Sequence, residues 1–189
     1  MKKVVLIGDS IRMGYQQTVR GELAGAAEVA WPEMNGYDSR NVLAKIDEWA
    51  IAPQPDLVHL NCGLHDLKRD RTRSEFQVPL DDYCANVEQV LHRLTSQTRA
   101  KIVWASTTPV NERSHRLHKP FDRLEFDVQS YNARALDICR RLGVQVDDLY
   151  TFVMQAGRDH YMSQDGVHFT DDGYELLGIE VARVIREHL

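Results

Sequence analysis

The sequence contains no long apolar run. The longest one near its start, residues 4–7, ends at Gly8 and is too short for a signal-peptide core or a membrane span. Nothing in the sequence directs export, so we expect a cytoplasmic protein without a membrane partner. The chain also lacks internal repeats, low-complexity tracts and Gly/Ser linkers, and its 189 residues suit one domain. We therefore expect a single domain over residues 1–189.

Cysteine is scarce, with three residues at positions 62, 84 and 139. An odd and scattered set does not indicate a disulfide framework, so we interpret these residues as reduced, mostly buried thiols. Cys62 has His65 three residues later, which would allow a Cys–His nucleophile. Because Cys62 ends an apolar strand pattern, burial is the favoured interpretation.

Neither sign of charge is in large excess. The 23 basic and 28 acidic residues give a net charge of −5, and a chain without a basic excess does not predict nucleic acid as a partner. Phosphate-binding loops are missing as well. Residues 8–14 contain neither a Gly-Lys-Ser/Thr sequence nor a Gly-x-Gly-x-x-Gly run, which disfavours a nucleotide- or flavin-binding function.

Short apolar runs alternate with helical patterns along the chain. The predicted strands are residues 3–8, 28–31, 56–61, 101–106 and 144–146. The predicted helices are residues 41–50, 81–94, 126–142 and 174–185, with Asp171 or Asp172 as the N-cap of the last. This alternation predicts an α/β fold, a three-layer α/β/α sandwich with a flavodoxin-like five-stranded parallel sheet.

In such a sheet, ligands bind beyond the carboxyl ends of the strands. Ser10 follows the first strand, where a helix begins, so its backbone N–H would point into the site. A serine hydroxyl needs an adjacent base, and His168 is a candidate. Asp165, three residues earlier, would fix the tautomer of that imidazole. Taken alone, Asp9 and Ser10 are equally typical of a helix cap, and Asp165 with His168 of a surface salt bridge.

The whole set of loop residues resembles the sequence blocks of the SGNH hydrolase (GDSL-like esterase/lipase) family, in the family's order. The matching blocks are Gly8-Asp9-Ser10, the glycine Gly36, Gly63-Leu64-His65-Asp66 and Asp165-Gly166-Val167-His168. The resemblance implies a serine esterase with Ser10 as nucleophile, His168 as base and Asp165 as the orienting acid. It further implies an oxyanion hole formed by the N–H groups of Ser10 and Gly36 together with residue 65. Asp9, Gly63 and Asp66 would have supporting roles, and we expect Asp66 to brace its loop by hydrogen bonding.

His65 is the one departure from the family pattern, which has asparagine at this position. The asparagine side chain donates a hydrogen bond to the developing oxyanion. A neutral histidine also has one N–H donor, so His65 can replace it if its tautomer and reach are suitable. We expect retained function, because nucleophile, base and orienting acid are all present. The alternative is a structural histidine in a weakly active enzyme or a non-catalytic binding module.

The implied reaction is a two-step acyl transfer that needs no metal and no organic cofactor. The expected partner is a small-molecule ester with a short acyl chain, such as an O-acetylated sugar, because two polar stretches, residues 68–73 and 111–119, would border the pocket. Ordinary solvated loops are the alternative for both stretches. A thioesterase or lysophospholipase of the same family is the second enzymatic interpretation. His115 and His118 lack a third ligand, so we interpret them as surface residues rather than a metal site.

Overall fold

A computed structural model describes residues 1–189. The strands are β1 (Lys2–Ile7), β2 (Ala27–Ala30), β3 (Leu57–Leu60), β4 (Lys101–Ala105) and β5 (Gln145–Asp147). The helices are α1 (Ser10–Glu22), α2 (Ser39–Ile46), α3 (Leu80–Gln97), α4 (Glu112–His118), α5 (Glu125–Leu142), α6 (Leu149–Ala156), α7 (Arg158–Tyr161) and α8 (Asp171–His188). A π-helical segment, Asp47–Ile51, continues α2.

The five strands form one parallel sheet in the order β2-β1-β3-β4-β5. In the register of its central pair, Val4 lies beside Leu57 and Ile7 beside Leu60. Helices α1 and α8 pack against each other, and α2, α3 and α5 form a second packed group. The predicted flavodoxin-like α/β architecture is therefore confirmed, since this strand order places the switch point between β1 and β3.

The strands are apolar because both faces of the sheet are covered. All four residues of β3 are buried, and the buried apolar side chains of sheet and helices form one continuous cluster. His59 is the polar residue of β3, and its Nε2 lies 2.9 Å from Oδ2 of Asp147 at the end of β5. That bond gives a buried polar side chain a partner inside the core. None of the helices is long and apolar enough to cross a membrane.

Helix α8 begins earlier than the apolar periodicity indicated. Its N-cap is Thr170, which has an extended backbone and whose Oγ1 accepts a hydrogen bond from Gly173 N at 3.2 Å. The prediction of Asp171 or Asp172 as the cap was wrong. Both aspartates lie in the first turn, where their negative charge interacts favourably with the helix dipole.

The polar stretch 111–119 is a helix rather than a loop. Asn111 caps α4 by accepting a hydrogen bond from Ser114 N at 3.1 Å. The interpretation of His115 as a surface residue was wrong, because its side chain is buried beneath this helix against Phe121. Short polar helices of this kind have too few apolar positions to show a helical period. No group of three or more metal-binding side chains is present.

Helices α1 and α8 approach each other closely through two glycines. A Cβ atom at Gly14 would lie 2.1 Å from the ring of Tyr174, and one at Gly178 would lie 2.5 Å from Cβ of Thr18. The two contacts have the same residue offset, so the helices run side by side in the same direction. Their N-terminal ends, near Ser10 and Asp171, consequently lie at the same edge of the molecule.

We expect Gly178→Ala to destabilise the protein by about 1–3 kcal/mol, because the added methyl group overpacks the α1–α8 contact. Gly21→Ala is the matched control. Gly21 also lies in α1, but a Cβ there would meet nothing within 4 Å. The control should be neutral or stabilised by up to about 1 kcal/mol. Urea unfolding of both variants measures the difference, and equal stabilities would contradict the close packing described here.

Candidate active site

The loops that follow β1, β2 and β3 meet at one edge of the sheet, as the parallel topology requires. Ser10 is the first residue of α1, and Asp9 is its N-cap, with Oδ1 accepting a hydrogen bond from Ile11 N at 2.9 Å. Since Ser10 stands at the helix start, its N–H has no acceptor within the helix. The N–H and the helix dipole both favour a negative charge beside Ser10.

His168 approaches Ser10 from the opposite end of the chain. Its Nε2 lies 2.8 Å from Ser10 Oγ, although 158 residues separate the two. On the other side of the ring, Nδ1 lies 2.6 Å from Oδ2 of Asp165. The structure therefore brings Ser10, His168 and Asp165 together in one continuous line of hydrogen bonds, with the imidazole side chain about one-third exposed.

Asp165 accepts hydrogen bonds from groups other than the His168 ring. Its Oδ1 accepts hydrogen bonds from the backbone N–H groups of Val167 and His168 at 3.0 and 2.9 Å, and from Ser163 Oγ at 2.9 Å. Burial alone would raise the pKa of Asp165, but the hydrogen bonds outweigh it and lower the pKa well below its ordinary value. Asp165 is thus an anion at every pH at which the fold is expected to function.

Gly36 lies against the loop that carries Ser10. Its N–H donates a hydrogen bond to Gly8 O at 2.9 Å, so the predicted oxyanion donor has a partner within the protein. A Cβ at this position would lie 2.7 Å from the same oxygen, which explains why the chain has glycine here. The contact ties the β2–α2 loop to the backbone directly before Asp9 and Ser10.

His65 lies at the same edge of the sheet as Ser10, and its ring makes no hydrogen bond within the protein. Its imidazole packs edge-on against Tyr37, with 5.5 Å between the ring centroids, and neither ring nitrogen has a hydrogen-bond partner in the protein. Burial lowers the pKa of His65, and the positive charge of Arg123 lowers it further. A neutral imidazole has one N–H donor, which is the form required of a replacement for asparagine.

Asp66 joins the β3 loop to the start of α2. Both of its carboxylate oxygens accept the N–H of Ser39, at 3.0 and 3.1 Å, and its side chain is fully buried. Burial raises the pKa of Asp66 to about 7. Gly63, on the same loop, packs closely against Thr107. A Cβ at position 63 would lie 2.2 Å from Thr107 Oγ1, so there is no room for a side chain. These contacts position the loop that carries His65.

Comparison with known proteins identifies the family. A model described as the GDSL-like Lipase/Acylhydrolase family matches residues 6–176. The chain belongs to this family. The isoamyl acetate-hydrolyzing esterase 1 homolog of Rattus norvegicus is 26% identical to this esterase, over 93% of the chain and 78% of the relative. The resemblance of its sequence blocks to SGNH hydrolases is confirmed, and the protein is a carboxylic ester hydrolase.

Two solved structures share the fold of the esterase. A lipase/acylhydrolase from Enterococcus faecalis superposes with a TM-score of 0.85 at 24% identity, covering 100% of this chain and 97% of that one. An acetylxylan esterase from Geobacillus stearothermophilus superposes with a TM-score of 0.78 at 21% identity, covering 97% and 94%. The likeness extends over the whole chain rather than a single motif.

Three side chains near the site of the esterase were not found by sequence reasoning. Lys119 Nζ lies 3.6 Å from Asp165 Oδ2, Arg123 Nε donates a hydrogen bond to Leu64 O at 2.6 Å, and Phe121 packs on the buried ring of His115. All three lie in the irregular segment between α4 and α5, which has neither a strand nor a helix period. Lys119 ends the polar stretch 111–119 that was expected to border the pocket, but its contact with Asp165 was not predicted. No sequence signal marked Phe121 or Arg123, since only the tertiary fold brings this segment to the β3 loop and to Asp165.

Cys62 is excluded as a nucleophile of the esterase. The residue is buried, as predicted, and burial raises the pKa of its thiol well above the ordinary value. A thiol that is neutral and enclosed has neither the charge nor the access that nucleophilic attack requires.

Of the two polar stretches, residues 68–73 line an open surface groove of about 430 Å³ next to Phe121.

We expect Asp165→Asn to be less stable than wild type by about 1–3 kcal/mol at neutral pH, because the charge-assisted hydrogen bonds are lost. Folding lowers the pKa of Asp165 below its ordinary 3.8. The stabilisation is therefore fully present above that value and is lost as the pH falls through the folded-state pKa. Denaturant unfolding from about pH 7 to about pH 3 should show the stability difference between the two proteins beginning to narrow at the acidic end.

Asp137→Asn provides the control for this titration, because Asp137 lies on the exposed surface of α5 and pairs only with Arg140. Its difference from wild type should be small throughout. A gap between wild type and Asp165→Asn that stayed constant down to the lowest pH would show that the hydrogen bonds to Asp165 do not stabilise its charged form.

Proposed function

We propose that this protein hydrolyses short-chain acyl esters through a Ser10–His168–Asp165 triad and a covalent acyl-enzyme, with O-acetyl groups on carbohydrate as the favoured substrate class. The observation that carries the proposal is the unbroken relay from Ser10 Oγ to His168 at 2.8 Å and from His168 to Asp165 at 2.6 Å. These are the distances over which a serine, a base and an orienting acid act together.

In the first step, Ser10 Oγ attacks the ester carbonyl and His168 Nε2 takes the hydroxyl proton. Asp165 accepts the hydrogen bond from Nδ1, which fixes the tautomer and stabilises the imidazolium that forms. His168 then gives the proton to the departing alkoxide, which leaves as the alcohol. In the second step, a water molecule loses a proton to His168 and attacks the acyl-enzyme, which releases the acid and restores Ser10.

The oxyanion that forms in each step needs hydrogen-bond donors. The Ser10 N–H at the start of α1 and the neutral ring of His65 are the two donors that have no acceptor in the protein. Gly36 N–H is the third, and its bond to Gly8 O means that it would be shared between that oxygen and the oxyanion. Each well-placed donor typically contributes about a hundred- to thousandfold in kcat.

The proposed preference for short acyl chains rests on the names of two similar proteins and on the polarity of the groove beside Phe121. The rat relative is named for hydrolysis of isoamyl acetate, and the Geobacillus structure is an acetylxylan esterase, so both names refer to acetyl esters. The groove beside Phe121 has two large apolar side chains, Phe76 and Phe121, and four charged ones, Lys68, Asp70, Arg73 and Glu75. A long acyl chain would find little apolar surface there.

The predicted cytoplasmic location stays a prediction.

We expect Ser10→Ala to lose p-nitrophenyl acetate hydrolysis by a factor on the order of 10⁴ or more, because no other group can form the acyl-enzyme. Ser130→Ala is the control, since Ser130 bonds only within α5 at Phe126 O. Octanoate and decanoate esters measured in parallel separate a short-chain esterase from a lysophospholipase-like enzyme. Equal background rates for wild type and Ser10→Ala would reject the serine mechanism.

The role of His65 is tested by two substitutions, one that removes its side-chain N–H donor and one that keeps a donor. His65→Ala should lower kcat roughly a hundredfold through loss of one oxyanion donor, with KM changed much less. His65→Asn keeps an N–H donor and should retain most of the activity. An unchanged kcat in His65→Ala would show that His65 is structural. A large gain in His65→Asn would identify the natural protein as a weakened enzyme.

A further inference from the structure

Arg123 is a buried cation without a carboxylate partner. The residue is 6% exposed, and its Nε donates to Leu64 O at 2.6 Å. Its two terminal nitrogens make no hydrogen bond and no ion pair, yet neither is fully enclosed by protein. A buried charge that lacks a counterion is costly, so a guanidinium that faces open space from inside the protein indicates a ligand with the opposite charge.

Lys68 is a second cation in the same place. Its Nζ lies 4.3 Å from the centroid of the Phe121 ring, and Cζ of Arg123 lies 5.0 Å from the same centroid. Lys68 has no carboxylate partner either. The neighbouring cations of the segment differ, since Arg69 pairs with Asp127 at 2.6 Å and Arg71 with Asp122 at 2.8 Å. Arg73 also lacks an ion pair, but it is exposed, whereas Arg123 is buried and Lys68 is partly buried beside the shared Phe121 ring.

This pair of cations lies beside the reacting groups. Leu64, which receives the Arg123 hydrogen bond, directly precedes His65 in the chain. Burial lowers the pKa of Arg123 to about 10, and the negative charges of Asp9 and Asp165 act in the opposite direction. Arg123 is thus protonated at neutral pH and lies within electrostatic reach of both the residue before the nucleophile and the triad acid.

We propose that Arg123 and Lys68 bind an acidic group, of the carboxylate or phosphate type, carried by the ester substrate next to its scissile bond. The proposal rests on the esterase function proposed above and adds a charge to its substrate class. A guanidinium has a planar fork of N–H donors that matches two oxygens of such a group, and an ammonium adds a point charge. Phe121 fixes both cations without neutralising them.

The test compares pairs of esters that differ only in charge. The first pair, 3-acetoxybenzoate and 3-acetoxybenzamide, carries the acidic group in the alcohol part. The second pair, p-nitrophenyl hydrogen glutarate and p-nitrophenyl 4-carbamoylbutanoate, carries it in the acyl part, and the rate of Ser10→Ala is subtracted as background. The measured quantity is the ratio of kcat/KM for the anionic ester to kcat/KM for the neutral ester.

In wild type we expect this ratio to favour the anion in one of the two pairs. In Arg123→Gln it should fall about tenfold or more, in Lys68→Gln by less, and Arg123→Lys should restore part of it. Arg71→Gln is the matched control, because it removes a nearby positive charge that Asp122 already neutralises. A ratio that Arg123→Gln leaves unchanged in both pairs overturns the proposal, since bracing Leu64 alone would slow both esters equally.

Binding without turnover separates this inference from the esterase proposal. Thermal-shift titrations with 3-hydroxybenzoate and its amide, and with glutaramate and its amide, on Ser10→Ala and on Ser10→Ala with Arg123→Gln, need no catalysis. Stabilisation by the acid that is lost with Arg123 supports the anion site even if no ester is hydrolysed. Equal shifts for acid and amide in both proteins reject the site even if wild type is an active esterase.

Discussion

The side-by-side packing of α1 and α8 is the constraint on which the site depends. Ser10 opens the first helix and His168 precedes the last, so the 2.8 Å contact between them exists only while these two helices stay in register. Gly14 faces Tyr174 and Gly178 faces Thr18 along the shared surface. Because each glycine leaves room for its partner, the helices approach closely enough for Ser10 and His168 to form their hydrogen bond.

Groups at the carboxyl edge of the sheet set the electrostatic potential around Ser10, His168 and Asp165. The N-terminus of α1 and the unpaired cation Arg123 supply positive potential, while Asp9 and Asp165 supply negative charge on either side of Ser10. Hydrogen bonds from the His168 ring and from two backbone N–H groups hold Asp165 in its charged form, and Lys119 lies nearby. Such an arrangement costs little reorganisation when charge moves from Ser10 to the substrate, which is the condition for electrostatic catalysis.

The parallel sheet could be predicted from the sequence because buried parallel strands are short apolar runs. The roles of Ser10, His168 and Asp165 were predicted from the family resemblance, since the residue pattern alone is equally typical of a helix cap and a surface salt bridge. Thr170 was missed as a cap, since two aspartates follow it and cap preference alone does not separate the three. Helix α4 and the burial of His115 were missed because a short polar helix has no apolar period. Arg123 could not be found at all, since its position beside His65 depends on how the segment between α4 and α5 folds back onto the β3 loop.

The distribution of the triad along the chain has a consequence for biogenesis. Ser10 is synthesised well before Asp165 and His168, which emerge only after all five strands. A nascent or truncated chain that ends before residue 165 therefore contains Ser10 without Asp165 and His168, the two residues of the proposed relay. Under the proposed mechanism, such an incomplete chain has no hydrolase activity, however much of its sheet has formed.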